Sequence, residues 1–168
     1  NYEAETVSET ISPSMDIQIA SNFERLIFDL NDKNSEQTSK DMMKIKEEGK
    51  YSIDKEKLNL INQDFLSARM SETETLDIIR SVYEEFNIVL DPHTAIGYGA
   101  FDKHDLNGNN IVLATAHPCK FPDAIQSAIN IKAELPNELQ SILNEKENYD
   151  ILENDINKVK EHIKERSK

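Results

Sequence analysis

The sequence predicts a helix-dominated α/β fold of about seven helices with two or three strands. Three observations predict it. Apolar residues recur at helical spacing in several stretches, most strongly Leu76, Ile79, Val82, Tyr83 and Phe86. Helix-start patterns stand ahead of such stretches, as in Ser21-Asn22-Phe23-Glu24 and Ser71-Glu72-Thr73-Glu74. One apolar run, Ile111-Val112-Leu113-Ala114, reads as a short buried strand. It spills into Thr115, His117 and Lys120 just before Pro122-Asp123-Ala124 opens a helix. Open α/β sheets build their binding sites at such strand ends.

The elements follow in chain order. Residues 1–14 carry no clean period, and Thr10–Ser14 reads as a connector ahead of an α/β unit over 15–168. Met15–Ile19 alternates apolar and polar, which predicts a short strand. Phe23, Leu26, Ile27 and Leu30 share a face behind the first capping box and predict a helix over 22–30. Ser35 is placed to cap a helix carrying Met42, Met43 and Ile45, with Gly49 as its stop. Leu58, Ile61, Phe65 and Leu66 predict the next helix, and the second capping box starts the one after it. Ile88-Val89-Leu90 is a short apolar run. Asp91-Pro92 then offers a cap with proline at the first helical position, predicting a helix over 92–103. Its Ala95, Gly97, Gly99 and Ala100 allow close approach of a neighbour. A helix follows from about Pro122 to Asn130. Pro136 opens a short one, and Asn154-Asp155 caps a last, charged helix with Ile156, Val159 and Ile163 on its inner face.

Two or three strands make a poor sheet alone. They fit best as edge strands of a sheet completed by further chain. The sequence also starts without Met and reads as a piece of a longer protein.

Composition narrows the partners. The 168 residues carry a net charge of −13, which disfavours a phosphate backbone or an anionic membrane surface. No apolar span is long enough for a membrane helix, and the first residues lack the pattern of a secretion signal. The single cysteine, Cys119, leaves no intrachain disulfide and fits a cytoplasmic setting.

Three places could hold chemistry. Thr115 carries a hydroxyl directly after the 111–114 run, and His117 and Lys120 add two groups able to bind an anion. The plainer reading makes Thr115 a backbone partner, His117 a surface histidine and Lys120 a solvated cation. Ser21, Asn22 and Arg25 stand at a helix start, where free N–H groups attract anions. A plain cap with a surface arginine is the commoner outcome. Asp91-Pro92-His93-Thr94 offers an N-cap and a histidine that is either a ligand or a local packing residue.

A metal site is not expected, because His93, His104, His117 and His162 are scattered. A Cys119–His117 nucleophile pair has no acid partner. Four glycines form no phosphate loop.

Three long segments together resemble threonine synthase. They are Ser12-Pro13-Ser14-Met15-Asp16-Ile17-Gln18-Ile19-Ala20-Ser21-Asn22-Phe23-Glu24-Arg25-Leu26, Asp91-Pro92-His93-Thr94-Ala95-Ile96-Gly97, and Ala114-Thr115-Ala116-His117-Pro118-Cys119-Lys120-Phe121-Pro122-Asp123. Their order and spacing are similar to that family's C-terminal part, from about residue 8 to the end. Cys119 departs from the pattern, since the family more often has Ala there.

The resemblance implies a C-terminal fragment of a pyridoxal-phosphate enzyme of the tryptophan-synthase-β-like fold (fold type II). Such enzymes convert O-phospho-L-homoserine and water to L-threonine and phosphate in threonine biosynthesis. It implies that Thr115 contacts the pyridine nitrogen of the cofactor. A neutral hydroxyl there leaves that nitrogen less protonated than a carboxylate would. It makes Ser21, Asn22, Arg25, His117 and Lys120 candidates for substrate contact. The family's Schiff-base lysine lies upstream in a Phe-Lys-Asp motif, and Lys120 in Cys-Lys-Phe-Pro does not match it. The chain by itself is therefore expected to be inactive, with no catalytic residue of its own, and exposed strand edges would favour its self-association. Two alternatives stay open: an acidic helical interaction module without catalysis, and a related pyridoxal-phosphate lyase.

Overall fold

The computed structural model describes residues 2–104 and 106–167. Two compact units result, Asn1–Glu134 and Leu135–Lys168. The first unit contains β1 (Tyr2–Glu3), α1 (Ser21–Leu30), α2 (Ser35–Glu48), β2 (Lys50–Tyr51), α3 (Lys55–Asp64), α4 (Glu72–Phe86), α5 (Pro92–Asp102) and α6 (Pro122–Ile129). The second holds a 3₁₀ segment, Asn137–Asn144, and α7 (Ile156–Arg166).

Local chemistry accounts for most of the helix ends. Ser71 and Glu74 form the reciprocal capping box at the start of α4. Lys103 Nζ, past the end of α5, reaches Glu74 Oε1 and the Arg69 carbonyl, both at 2.7 Å. Gly49 takes a left-handed φ of 74° and stops α2. The α2 cap is Asn34, one residue before the expected Ser35. The expected box at Ser21 does not form, because the N-cap of α1 is Ala20. The Ala20 N–H donates instead to the Tyr2 hydroxyl at 2.7 Å, and the Tyr2 ring stands edge-on to Phe23.

The first unit has two apolar centres. Ile79, Ala95, Ile125 and Ala128 join α4, α5 and α6, with Val89 and Leu90 against them. Gly99 gives α5 its close approach to α4: a Cβ there would lie 2.3 Å from Ile78 Cδ1 and 3.0 Å from Met70. Ile27, Ile45 and Tyr51 form the other centre, with Tyr2, Phe23 and Met42 around it. Buried polar groups sit beside it. Asp41 accepts from Asn31, Gln37 and Tyr51, and Lys57 donates to Asn31 at 2.7 Å. Full pairing keeps such a buried carboxylate tolerable.

The strands differ from expectation. Among the described residues the ladder is β1 against β2, antiparallel, with Tyr2 opposite Tyr51 and Glu3 opposite Lys50. The expected strands at 15–19 and 111–114, like the apolar run at 88–90, have no ladder partner among the described residues. Residues 13–15 instead wind into a 3₁₀ turn. Alternation encodes a face, while a strand also needs a neighbour for its hydrogen bonds. Ile111 and Leu113 are accordingly 87% and 76% exposed. In the second unit, Ile156 and Ile163 are exposed rather than facing inward, because none of that unit's described residues covers them.

Candidate functional site

The site is organised around Asp91, the N-cap of α5, which is 1% exposed. Asp-Pro-His-Thr is a strong helix start: the Asp91 carboxylate accepts from the His93 N–H at 3.0 Å, and Pro92 presets the first helical φ. One turn of helix then brings Thr94 back over the cap, and its hydroxyl donates to Asp91 Oδ2. The chain returns at residues 114–116. The Ala116 N–H donates to Asp91 Oδ2 at 3.3 Å, and the Thr115 N–H donates to Thr94 Oγ1 at 3.0 Å. The Thr115 hydroxyl lies 3.2 Å from Thr94 Oγ1 and 3.4 Å from each Asp91 oxygen.

His93 closes the inner side. Its Nε2 accepts from the Ser14 N–H at 3.1 Å, so the ring proton sits on Nδ1 and faces Asp91 Oδ1 at 3.1 Å. Its ring packs on Phe121, centroids 4.9 Å apart. His93 is thus the packing residue that ties the Ser12–Met15 turn to α5. Burial alone would push the Asp91 carboxyl up. The hydrogen bonds from Thr94, His93 and Ala116 more than offset this and hold it below the usual carboxylate range.

Residues 114–116 divide between two cavities. Thr115 lines a cavity of about 390 Å³ with Met15, His93, Gly97, Phe101 and Ile111. Ala114 and Ala116 face a second one of about 560 Å³, walled by Ile88–Leu90, His117 and Ile131–Glu134.

The other candidates sit elsewhere. His117 lines the second cavity, and its Nδ1 accepts from the Cys119 N–H at 3.2 Å, capping the Pro118–Lys120 turn. That contact runs through the backbone rather than the thiol. Lys120 lies on a groove with Ile11, Phe121 and Asp123. Ser21 and Arg25 line a groove of about 330 Å³ with Glu24, Phe28, Ser35 and Ser39, and Arg25 donates to Asn22 Oδ1 at 2.5 Å. Arg25 and Thr115 thus line different cavities. Among the described residues no cluster of three or more His, Cys, Asp or Glu could hold a metal ion.

The sequence places Thr94 in the Asp91-Pro92-His93-Thr94 segment but gives it no role of its own. Threonine as the third residue after an Asp cap, followed twenty-one residues on by Thr115, carries a signal only once the chain is known to fold back.

Known proteins place this arrangement. Residues 94–163 match the family described as threonine synthase, C-terminal. Threonine synthase of Pseudomonas aeruginosa is 35% identical over 165 residues, covering 96% of this chain and 35% of the relative. Threonine synthase of Saccharomyces cerevisiae is also 35% identical, covering 98% of this chain and 37% of that protein. The crystal structure of PLP-bound threonine synthase from Brucella melitensis superposes with a TM-score of 0.80 at 38% identity. It covers 99% of this chain and 36% of that structure. The chain thus spans about a third of the length of the relatives it matches. In sequence and in fold, the chain belongs to the threonine synthase family and corresponds to its C-terminal part.

Proposed function

We propose that the chain forms part of an enzyme that converts O-phospho-L-homoserine and water to L-threonine and phosphate with pyridoxal phosphate. The observation that carries this reading is Thr115, an exposed residue on a cavity wall whose hydroxyl lies beside a buried Asp91–Thr94 pair, in a chain of this family. The donor set fits the cofactor: an uncharged hydroxyl suits a ring nitrogen, and the surrounding wall of Met15, Phe101 and Ile111 suits the face of a heterocycle. Pyridoxal phosphate, when bound, supplies an electron sink. Thr115 would hold the ring nitrogen. The Thr94 hydroxyl and the Ala116 N–H bond to Asp91 keep residues 114–116 in place. His117, Lys120, Ser21, Asn22 and Arg25 remain our candidates for the phosphate and amino-acid groups of the substrate.

The chain contributes one wall of the site and lacks a motif of the Schiff-base type, so we propose that it is inactive alone. The test is phosphate release from O-phosphohomoserine with added pyridoxal phosphate, comparing this chain with the product of the uninterrupted reading frame. Release by the longer protein alone, with threonine as product, is the expected result. Release by this chain alone would overturn the inactivity. No release by either would overturn the reaction.

One observation favours a rival. Arg25 and Thr115 line separate cavities, as they would in a helical interaction module without catalysis. Loss of phosphate release on Thr115→Val in the longer protein would exclude that rival. Cleavage without threonine would favour a related pyridoxal-phosphate lyase. A cytoplasmic location goes with the reading, and fractionation of cells expressing the longer protein would check it.

A further inference from the structure

The three signature segments, 12–26, 91–97 and 114–123, meet at one side chain. His93 belongs to the second and is 5% exposed. From the first segment, the Ser14 N–H donates to its Nε2 at 3.1 Å, across 79 residues of chain. From the third, the Phe121 ring packs on the imidazole, with centroids 4.9 Å apart. His93 Nδ1 lies 3.1 Å from Asp91 Oδ1, and the same carboxylate accepts from the Ala116 N–H at 3.3 Å.

These contacts leave the ring one protonation state. A backbone N–H only donates, so Nε2 carries no proton. Nδ1 faces a carboxylate that already accepts from the His93 and Ala116 N–H groups, so the ring proton sits there. Neither hydrogen belongs to a freely turning hydroxyl. A second ring proton would set two donors, Nε2–H and the Ser14 N–H, against each other.

What the Ser14 bond holds is a wall of the Thr115 cavity. Residues 10–16 form a turn braced within itself. The Met15 N–H donates to the Ser12 carbonyl at 2.9 Å, and Asp16 accepts from the Thr10 N–H and the Thr10 hydroxyl, each at 2.7 Å. Glu72 of α4 ties this turn through an exposed bond to the Ile11 N–H at 3.0 Å. His93 ties it at Ser14, one residue before Met15, and Met15, His93 and Thr115 line the same cavity. Asp91, bonded to the same ring, holds the Thr115–Ala116 backbone through the Ala116 N–H.

We propose that His93 is a positioning residue: it clamps the Ser12–Met15 turn and the Thr115–Ala116 backbone in one fixed relation, and so shapes the cavity for the cofactor ring. The inference rests on the reading that the cofactor sits against Thr115. His93 acts through Ser14 and Asp91 and needs no contact of its own with the cofactor.

The test uses the longer protein and two amides that divide the imidazole between them. In His93→Gln the side chain reaches the Nε2 position and offers Ser14 an acceptor. In His93→Asn it reaches only the Nδ1 position, so Asp91 keeps a donor and Ser14 loses its acceptor. Pyridoxal phosphate affinity, from absorbance titration, is expected to fall about 10-fold in His93→Asn and to stay within about 2-fold of the wild type in His93→Gln. Wild-type affinity in His93→Asn would overturn the proposal. So would an equal loss in both variants, which marks a residue needed only for its packing on Phe121. A nitrogen-15 spectrum of the histidine rings in the wild type decides the matter even if neither variant folds. A neutral ring protonated on Nδ1 is expected, and no histidine in that form would overturn the proposal. In each of these failures the proposed function stands, because wild-type cofactor binding and phosphate release are untouched. Failure of the wild type to bind pyridoxal phosphate would overturn both.

Discussion

The Thr115 N–H donates to the Thr94 hydroxyl at 3.0 Å, across twenty-one residues of chain, and the two hydroxyls stand 3.2 Å apart. Thr94 thereby fixes the backbone and the side chain of Thr115 together. Thr115→Val keeps the shape and removes the hydroxyl. A lost hydrogen bond to a cofactor is worth about 1.5 kcal/mol, so cofactor affinity of the longer protein should fall ~10-fold. Titration of pyridoxal phosphate followed by absorbance checks this, and Thr115→Ser should bind as the wild type does. Unchanged affinity in Thr115→Val would remove Thr115 from the site.

Ile79 is fully buried between α4, α5 and α6, against Ala95, Ile125 and Ala128. Ile79→Ala should cost about 2–5 kcal/mol, from lost transfer energy and the cavity left behind. Because the same helices carry Asp91 and Thr94, the loss should reach the site. Urea unfolding followed by circular dichroism measures it. A cost near zero would mean that this centre is not packed as described.

Tyr51 donates to buried Asp41 at 3.2 Å, and burial, with the Asp41 charge beside it, pushes its phenol up to about 12 from 10.0. The folded state therefore holds this proton where the unfolded state has lost it. The stability from that difference is intact below pH 10 and is lost as pH rises toward 12. The total is on the order of 2 kcal/mol. Tyr51→Phe, which has no such proton, should show a shallower decline over the same window. Denaturant midpoints at pH 9 and 11 would decide, and parallel slopes would refute the assignment.

Ser71 caps α4 and accepts from the Glu74 N–H at 3.2 Å. Ser71→Ala should lower stability by about 1 kcal/mol. Ser71→Asp should recover most of it, since Asp caps as well as Ser. Thermal unfolding of the three proteins compares them directly, and equal midpoints would show that the box carries no stability.

The run at 111–114 has apolar side chains in the open, with Ile111 at 87% and Leu113 at 76% exposure. We expect this chain alone to self-associate through them. Light scattering across a dilution series should show mass above the monomer. Ile111→Lys with Leu113→Lys should return it to 19.2 kDa before the added lysines are counted. A strict monomer before substitution would show that the run is harmless.

Local pattern alone specified most of the helices here. Asn34, Asp54, Ser71, Asp91 and Asp155 each bond a backbone N–H within three residues, so the start of each helix is written in adjacent residues. Gly49 is as local, because its φ of 74° suits a residue without a side chain. The Thr-Ala-His-Pro stretch was legible for the same reason, as a short signature carrying Thr115. The strands were not. Met15–Ile19 alternates and Ile111–Ala114 is a short apolar run, both as strands can be, but the ladder that makes a strand belongs to two segments at once, and among the described residues neither has its second. Ser21 failed as a cap because Tyr2, far off in sequence, had already taken the chain at Ala20. Tertiary structure alone decided the candidate site. It set Asp91, Thr94 and Thr115 in contact and left Arg25 in another groove. Those outcomes depend on where the chain returns to itself, which no window of neighbouring residues contains.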